Sequence, residues 1–320
     1  MGCMHPLIAL YNKNTRKPKI IGQYNPSEPT PFIRKIWNKI SRPIKQGYEI
    51  KLPCGRCVAC RIDRSKQWAM RCMHEAQMHQ HNCFVTLTYS PEHLPNPPVL
   101  HKSDLQCFIK RLRKALHPTK IRYYACGEYG EKSERPHFHL IIFGYDFPDK
   151  FLWQRAKTGE QYYRSKLLEK IWDQGQSIIG DVTYQSAAYT ARYVMKKKFG
   201  NTEFKDDAYK RINLDTGEIY QLTPEFNTMS LKPAIGKAWF DQYHSDLYPH
   251  DYAVQDAKKH KIPRYYDKLL QLQDPELAAT LKEQRTKRAE LKQDDNTPDR
   301  LLIKEKVLLS KICKLIRNVE

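Results

Sequence analysis

The chain has no run of about eighteen consecutive apolar residues, so no segment reads as a membrane-spanning helix. It has no G-x-x-x-x-G-K-S/T phosphate loop. Gly236-Lys237 lacks the upstream glycine, and the sequence shows no nucleotide-driven motor of its own. No internal repeat is visible. The opening Met1-Gly2-Cys3-Met4-His5-Pro6 has no apolar h-region and reads as a mature start, and Pro6 stands where N-myristoylation needs Ser or Thr. Nine cysteines, an odd number without a secretion signal, argue against a disulfide framework and for a reducing cytosol. Acidic residues are scarce: 35 Asp and Glu stand against 55 Lys and Arg, a formal charge of +20 over 320 residues. That imbalance points to a polyanionic partner, DNA or RNA before a membrane.

Of what is present, Pro136-His137-Phe138-His139-Leu140-Ile141-Ile142-Phe143-Gly144 is the most informative. Run as a strand, it places His137, His139 and Ile141 on one face and Phe138, Leu140 and Ile142 on the other. Two imidazoles on a buried face need partners. A hydrogen-bonded core pair is one solution and a shared metal ion another. Glu128 lies nine residues before His137, and the polar stretch Glu131-Lys132-Ser133-Glu134-Arg135 reads as a hairpin connection. Folding it back brings Glu128 to the histidine face as a third ligand, with Glu131 the competing choice.

Farther along, Tyr189-Thr190-Ala191-Arg192-Tyr193-Val194-Met195-Lys196-Lys197-Lys198 reads as a helix. Tyr189 and Tyr193 are then i,i+4 neighbours, and Lys196 and Lys197 continue the stripe. Such a pair can simply pack on a core. Beside a candidate metal strand on a basic chain, a tyrosine can instead attack a phosphodiester and hold the strand end covalently. An ordinary tyrosine pKa near 10 leaves only about 0.1% phenolate at pH 7, roughly 4 kcal/mol uphill. Adjacent lysines and a bound cation both favour the phenolate.

Cys54-x-x-Cys57-x-x-Cys60 offers three thiols at a spacing that suits structural zinc. A closed tetrahedral site needs a fourth ligand, for which Cys3, His5 and Cys72 are candidates; three reduced cysteines at a tight turn are the alternative.

The remaining chain sorts by periodicity. Residues 1–50 are polar and proline-dotted and read as an irregular arm. Residues 61–80 are helical, with His74, His79 and His81 as solvent-facing or capping residues. Residues 83–89 are a strand. Ser103 with Gln106 is a capping-box signature opening a helix that Pro118 closes. Residues 121–126 form the next strand, and the histidine strand follows. Residues 160–174 read as an amphipathic helix with Tyr163, Leu167, Ile171 and Trp172 inward and Gly175 as its stop. Residues 178–184 read as a strand and residues 186–199 as the tyrosine helix. A small hairpin is expected to turn at Asp215-Thr216-Gly217. Trp239, Phe240, Tyr243 and Tyr248 suit either base stacking or a minor core. Leu301, Leu302, Ile303, Val307, Leu308, Ile312, Leu315 and Ile316 mark an amphipathic C-terminal helix.

The order β-α-β-β-α-β and then a helix is the split βαβ plan of an α+β, ferredoxin-like or RRM-like domain. Its antiparallel sheet carries helices on one face and leaves the other face or the edge for DNA and the tyrosine helix. The expected organisation is an arm with the cysteine cluster and a helix (1–82), the core (83–200), a core extension with DNA contacts (201–264) and a helical tail (265–320).

Pro-His-Phe-His-Leu (136–140), Tyr-Thr-Ala-Arg-Tyr-Val-Met-Lys-Lys (189–197) and Phe-Val-Thr-Leu-Thr-Tyr (84–89) resemble the three motifs of HUH rolling-circle replication initiators of the two-tyrosine class. Pro-Cys-Gly-Arg-Cys-Val-Ala-Cys (53–60), Cys-Gly-Glu-Tyr-Gly (126–130) and Met-Ser-Leu-Lys-Pro-Ala-Ile-Gly (229–236) are similar to the gokushovirus branch of the microviruses. The resemblance covers roughly residues 50–240 and implies a metal-dependent origin nickase. His137, His139 and Glu128 would hold Mg²⁺ or Mn²⁺, and Tyr189 or Tyr193 would attack, with Lys196 and Lys197 in support. It implies single-stranded origin DNA as partner, a host helicase and polymerase alongside, and the host bacterial cytoplasm as location. Two rivals are a relaxase or single-strand transposase, and a non-enzymatic zinc-bearing nucleic-acid-binding protein. Relaxases commonly carry a third histidine and an upstream tyrosine; here both tyrosines lie downstream.

Overall fold

The computed structural model describes residues 2–12, 18–23, 47–130, 133–156, 159–196, 209–213, 216–292 and 294–313, with residues 12, 23, 47–49 and 192–196 described for their backbone alone. The chain divides into two compact units, one of Met1–Asp63 with Ala279–Glu320, the other of Arg64–Ala278.

In the first unit, the apolar run at residues 7–10 forms the middle strand of a small antiparallel sheet, where an irregular arm was expected. β1 (Leu7–Asn12) pairs with β2 (Pro18–Gln23) on one side and β3 (Gly47–Leu52) on the other. Ile8, Ala9 and Leu10 are buried there. Proline spacing hid the signal, because Pro18 opens a strand and needs no ladder donor at that position. Separately, Met4, Ala59, Leu301 and Leu308 make a small core, the last two from the C-terminal helix Pro298–Cys313. Leu302, Ile303 and Val307 are exposed. Leu315 and Ile316 lie outside the described residues.

The second unit takes most of α1 (Val58–Gln77) and builds a seven-stranded sheet. Its elements are β4 (Asn82–Tyr89), α2 (Lys102–Ala115), β5 (Arg122–Tyr129), β6 (Pro136–Phe143), β7 (Phe151–Arg155), β8 (Gln161–Arg164), α3 (Lys166–Ile171), β9 (Gly175–Gly180) and α4 (Tyr184–Lys196). A short hairpin, β10 (Lys210–Ile212) with β11 (Ile219–Gln221), precedes the edge strand β12 (Phe226–Met229). The spatial order is β12-β5-β6-β4-β9-β8-β7, and every pairing is antiparallel. No described helix is long and apolar enough to cross a membrane.

The histidine strand β6 lies inside this sheet, between β5 and β4. Strand alternation divides the core in two. Val85, Leu87, Ala125, Phe138, Leu140 and Ile142 pack with Leu105, Phe108 and Leu112 of α2 and Leu168 and Ile171 of α3. Phe84, Tyr124, Ile141 and Phe143 face the other way, against Ala69 and Cys72 of α1 and Ala187 and Ala191 of α4. The split βαβ frame thus covers one face with α2 and α3, and the other face holds the tyrosine helix beside α1.

Four expectations need correction. Residues 161–164 are a strand, so α3 is only six residues long. Two adjacent aromatics, Tyr162 and Tyr163, favour a pleated strand, and Ser165 then caps α3 by accepting from the Leu168 amide at 3.0 Å. Gly175 opens β9 and does not end a helix; a Cβ there would lie 2.2 Å from the Thr88 carbonyl oxygen. Ser103 lies inside α2 and hydrogen-bonds Asp104 at 3.2 Å, so it caps nothing. A working box occurs instead at α4, where the Ser186 amide donates to Thr183 Oγ1 (3.1 Å) and the Thr183 amide to Ser186 Oγ (2.9 Å). His74 is buried, stacked 3.6 Å from Trp239 and bonded to the Tyr266 hydroxyl at 3.0 Å. Trp239, Phe240 and Tyr248 are buried, which decides for the minor core; Tyr243 is exposed.

Candidate functional site

β5 and β6 pair so that Glu128 stands directly opposite His137, and Cys126 opposite His139. Alternation puts Glu128, His137 and His139 on the face that carries α4. On the opposite face Gly127 lets β12 close in against β5: a Cβ there would lie 2.9 Å from the Phe226 ring. Glu128 and His139 are buried, and His137 is half-buried.

The side chains converge on one atom. Glu128 Oε1 is 2.7 Å from His137 Nε2 and 2.9 Å from His139 Nε2. The Tyr189 hydroxyl donates to the same oxygen at 3.3 Å, and its ring stands edge-on to His139 with centroids 5.0 Å apart. The three ligand atoms of Glu128, His137 and His139 lie within 4.8 Å of one another.

The far sides of the imidazoles fix their roles. His137 Nδ1 lies 3.1 Å from the Arg135 carbonyl oxygen, which can only accept, so Nδ1 carries a proton. His137 Nε2 therefore presents either a lone pair or a second proton to the carboxylate. His139 Nδ1 is 2.9 Å from Thr86 Oγ1. Two lone pairs facing a carboxylate oxygen at these distances repel one another. A proton or a cation between them removes the conflict, and the donor set is one that holds a divalent metal. Burial pushes the Glu128 carboxyl up, but the bonds and charges of His137 and His139 together outweigh it and lower its pKa to about 2. It stays anionic at neutral pH.

The residues reached by sequence reasoning divide as follows. Glu128, His137, His139 and Tyr189 come together. Glu131 and Lys197, and the side chains of Tyr193 and Lys196, lie outside the described residues. Cys54, Cys57 and Cys60 gather with Cys3 in the first unit, all four sulfurs within 4.8 Å of one another. His5 instead meets Glu305 at 2.8 Å, and Cys72 is buried in the second unit's core. Hydrogen bonds from the Cys3 and Cys60 thiols hold Cys57 well below the ordinary thiol range.

Sequence reasoning missed three supporting residues. Thr86 is paired with His139 by the β4–β6 register, a relation that appears only once the strands are aligned. Ser65 of α1 donates to the Ala188 carbonyl of α4 at 2.9 Å. Asn227 of β12 reaches the Thr190 carbonyl at 3.3 Å and the Tyr124 hydroxyl at 3.2 Å. Ser65 and Asn227 seat the helix that carries Tyr189, and Thr86 orients His139.

Residues 82–198, spanning β4 to α4, match the model of the family described as Replication-associated protein ORF2/G2P. That span holds Thr86, Glu128, His137, His139 and Tyr189, so the cluster lies in the part of the chain that matches this class of replication-associated proteins. Replication-associated protein VP4 of Bdellovibrio phage phiMH2K is 35% identical over 232 residues, which cover 70% of this chain and 69% of that one. Replication-associated protein ORF2 of Spiroplasma virus 4 is 35% identical over 250 residues, 74% of this chain and 73% of that one. Replication-associated protein ORF4 of Chlamydia phage 1 is 28% identical over 71% of this chain and 55% of its own length. The chain belongs to the family of phage replication-associated proteins. No solved structure matches it significantly.

Proposed function

We propose that this protein initiates phage DNA replication by nicking one strand at the origin and later rejoining it, with a tyrosine as nucleophile. The observation that carries the reading is the convergence of His137 Nε2, His139 Nε2 and Tyr189 Oη on Glu128 Oε1. A phenolate beside a bare carboxylate is repelled, whereas beside a dication it is favoured. When bound at Glu128, His137 and His139, a divalent cation supplies Lewis-acid polarisation of a phosphate oxygen; Mn²⁺ or Mg²⁺ suits a mixed donor set used on phosphate.

Tyr189 presents its oxygen for in-line attack on phosphorus. The phenolic proton leaves to solvent, the new O–P bond forms and the P–O3′ bond breaks. The departing 3′ oxygen takes up a proton to become a free 3′-OH that primes synthesis. The 5′ phosphate stays on tyrosine, so the phosphodiester energy is kept and rejoining needs no ATP. Tyr193, one turn along α4, provides a second attack after one round, and the released 3′-OH reseals the first ester. Lys196 and Lys197 offset phosphate charge. Host helicase and polymerase act on the opened strand.

The test is a labelled single-stranded origin oligonucleotide incubated with protein and Mn²⁺, resolved under denaturing conditions. A covalent adduct is expected, lost with EDTA, with His137→Ala, and with Tyr189→Phe combined with Tyr193→Phe. Salt-sensitive binding without adduct, across Mg²⁺ and Mn²⁺, would move the assignment to a non-enzymatic nucleic-acid-binding protein.

A further inference from the structure

We propose that Cys3, Cys54, Cys57 and Cys60 bind one zinc ion as a closed tetrahedral site, with Cys3 as the fourth ligand, and that this ion staples the N-terminal segment to the start of α1.

The distances fit a metal and do not fit a disulfide. Cys3 Sγ and Cys57 Sγ are 3.8 Å apart, far beyond a sulfur–sulfur bond. A tetrahedron of sulfurs about 2.3 Å from zinc has edges of about 3.8 Å. All four sulfurs lie within 4.8 Å of one another, so a modest contraction closes the set. The other described cysteines do not join them: Cys72, Cys83 and Cys126 are buried in the second unit, and Cys107 and Cys313 are exposed.

Backbone amides are turned toward the sulfurs. The Cys54 amide donates to Cys3 Sγ at 3.2 Å, and the Cys57 and Arg56 amides approach Cys54 Sγ at 3.2 and 3.4 Å. Such donors stabilise thiolate charge and fix ligand direction. Gly55, at φ +72°, allows the turn that aims two successive amides back at Cys54. Cys60 lies one helical turn beyond Cys57 and brings its sulfur to the same place. An all-sulfur set selects a soft metal, unlike the carboxylate and imidazole set of Glu128, His137 and His139.

The ion has structural work to do here. The core beside it consists of Met4, Ala59, Leu301 and Leu308, with Val58, Ile62 and Ile312 partly buried. Among the described residues this cluster has four buried side chains, and a metal tie adds to the little that such a cluster supplies. Zinc held by two segments more than fifty positions apart closes a long loop, and its binding energy is folding energy.

The experiment uses the full-length protein. Metal content is measured after extensive dialysis, and zinc release is followed as a mercurial titrates the thiols. One zinc per chain is expected, with four thiols becoming reactive only as zinc leaves. Cobalt substitution should give the intense visible bands of tetrahedral thiolate coordination. Cys3→Ser should cut retained zinc severalfold, whereas Cys107→Ser should leave it at one per chain. Absence of zinc, retention of an iron chromophore in its place, or unchanged zinc in Cys3→Ser would each overturn the proposal. The thiol titration needs no variant, so it decides even if Cys3→Ser fails to fold. None of these readouts depends on DNA nicking.

Discussion

Thr86→Val removes one hydroxyl and keeps the shape of a β-branched strand residue. Thr86 Oγ1 lies 2.9 Å from His139 Nδ1, on a strand whose pairing sets Thr86 opposite His139. The opposite nitrogen, His139 Nε2, faces Glu128 at 2.9 Å. Without the hydroxyl, the buried ring loses the partner that fixes its tautomer and tilt. Losses of this kind typically lower metal affinity about 10- to 100-fold, or about 1.4–2.7 kcal/mol. The orphaned nitrogen costs about 1–3 kcal/mol of fold stability in addition. Manganese binding by calorimetry measures the first quantity and urea unfolding the second. Thr86→Ser, which restores the hydroxyl, should recover most of the metal affinity. If the valine variant bound Mn²⁺ as tightly as the parent while remaining folded, His139 would not be a ligand oriented by Thr86, and the reading of the cluster would fail at that residue.

Burial lowers the His74 pKa from 6.5 to about 3. Between those values the unfolded chain binds a proton that the folded chain refuses, so stability present above pH 6.5 falls as pH drops, by about 1.4 kcal/mol per unit in that window. Denaturant midpoints from pH 7 to pH 4 should show this slope, and His74→Gln should flatten it. Gly127→Ala places a methyl 2.9 Å from the Phe226 ring and 3.2 Å from Leu100 Cδ2. The overpacking should cost about 1–3 kcal/mol in urea unfolding; no loss would mean that β12 does not sit tightly against β5. Tyr189→Phe keeps the ring that packs edge-on to His139 and removes only the hydroxyl. Single-stranded DNA binding should stay within about threefold, measured at fixed salt because counterion release dominates it. A loss of binding as large as the loss of adduct would make Tyr189 a contact residue and not a nucleophile.

What could be read from the chain followed from short-range periodicity. The His137, Phe138, His139, Leu140 alternation specified both faces of β6, and both cores obey it. The continuous apolar run placed that strand inside the sheet, because a strand buried on both faces cannot afford polar positions except where they serve a purpose. Glu128 came within reach for the same reason: a hairpin returning from His137 sets residue 128 opposite it, and a one-residue slip would have turned the carboxylate to the other face. What escaped was decided between segments distant in sequence. Tyr162 and Tyr163 lie in a pattern that fits a helix face, yet Tyr163 pairs with Ile179 on β9, and that partner is invisible to a local window. Asn227 lies in a strand of four residues at a sheet edge, which carries almost no periodic signal.

The cysteines show where local reading ends and folding takes over. Cys54, Cys57 and Cys60 share one turn and the start of a helix, so spacing alone assembles three sulfurs. Spacing could not choose among Cys3, His5 and Cys72, because the choice depends on where the N-terminal segment runs. In the fold Met4 is buried in one small core with Ala59, and the β1–β3 pairing sets Leu7 opposite Leu52; together they carry residue 3 to the cysteine turn. The same segment turns His5 toward Glu305, which removes it as a ligand. Cys72 lies on α1 beyond Cys60, with its side chain in the core beneath α4, where no sulfur can reach the other three. The fourth ligand is therefore selected by tertiary structure, a strand pairing and a hydrophobic contact together. Met4→Ala should weaken zinc retention even though methionine 4 holds no metal itself. A zinc content and release rate unchanged in Met4→Ala would show that the sulfurs gather by themselves and that the apolar contact follows.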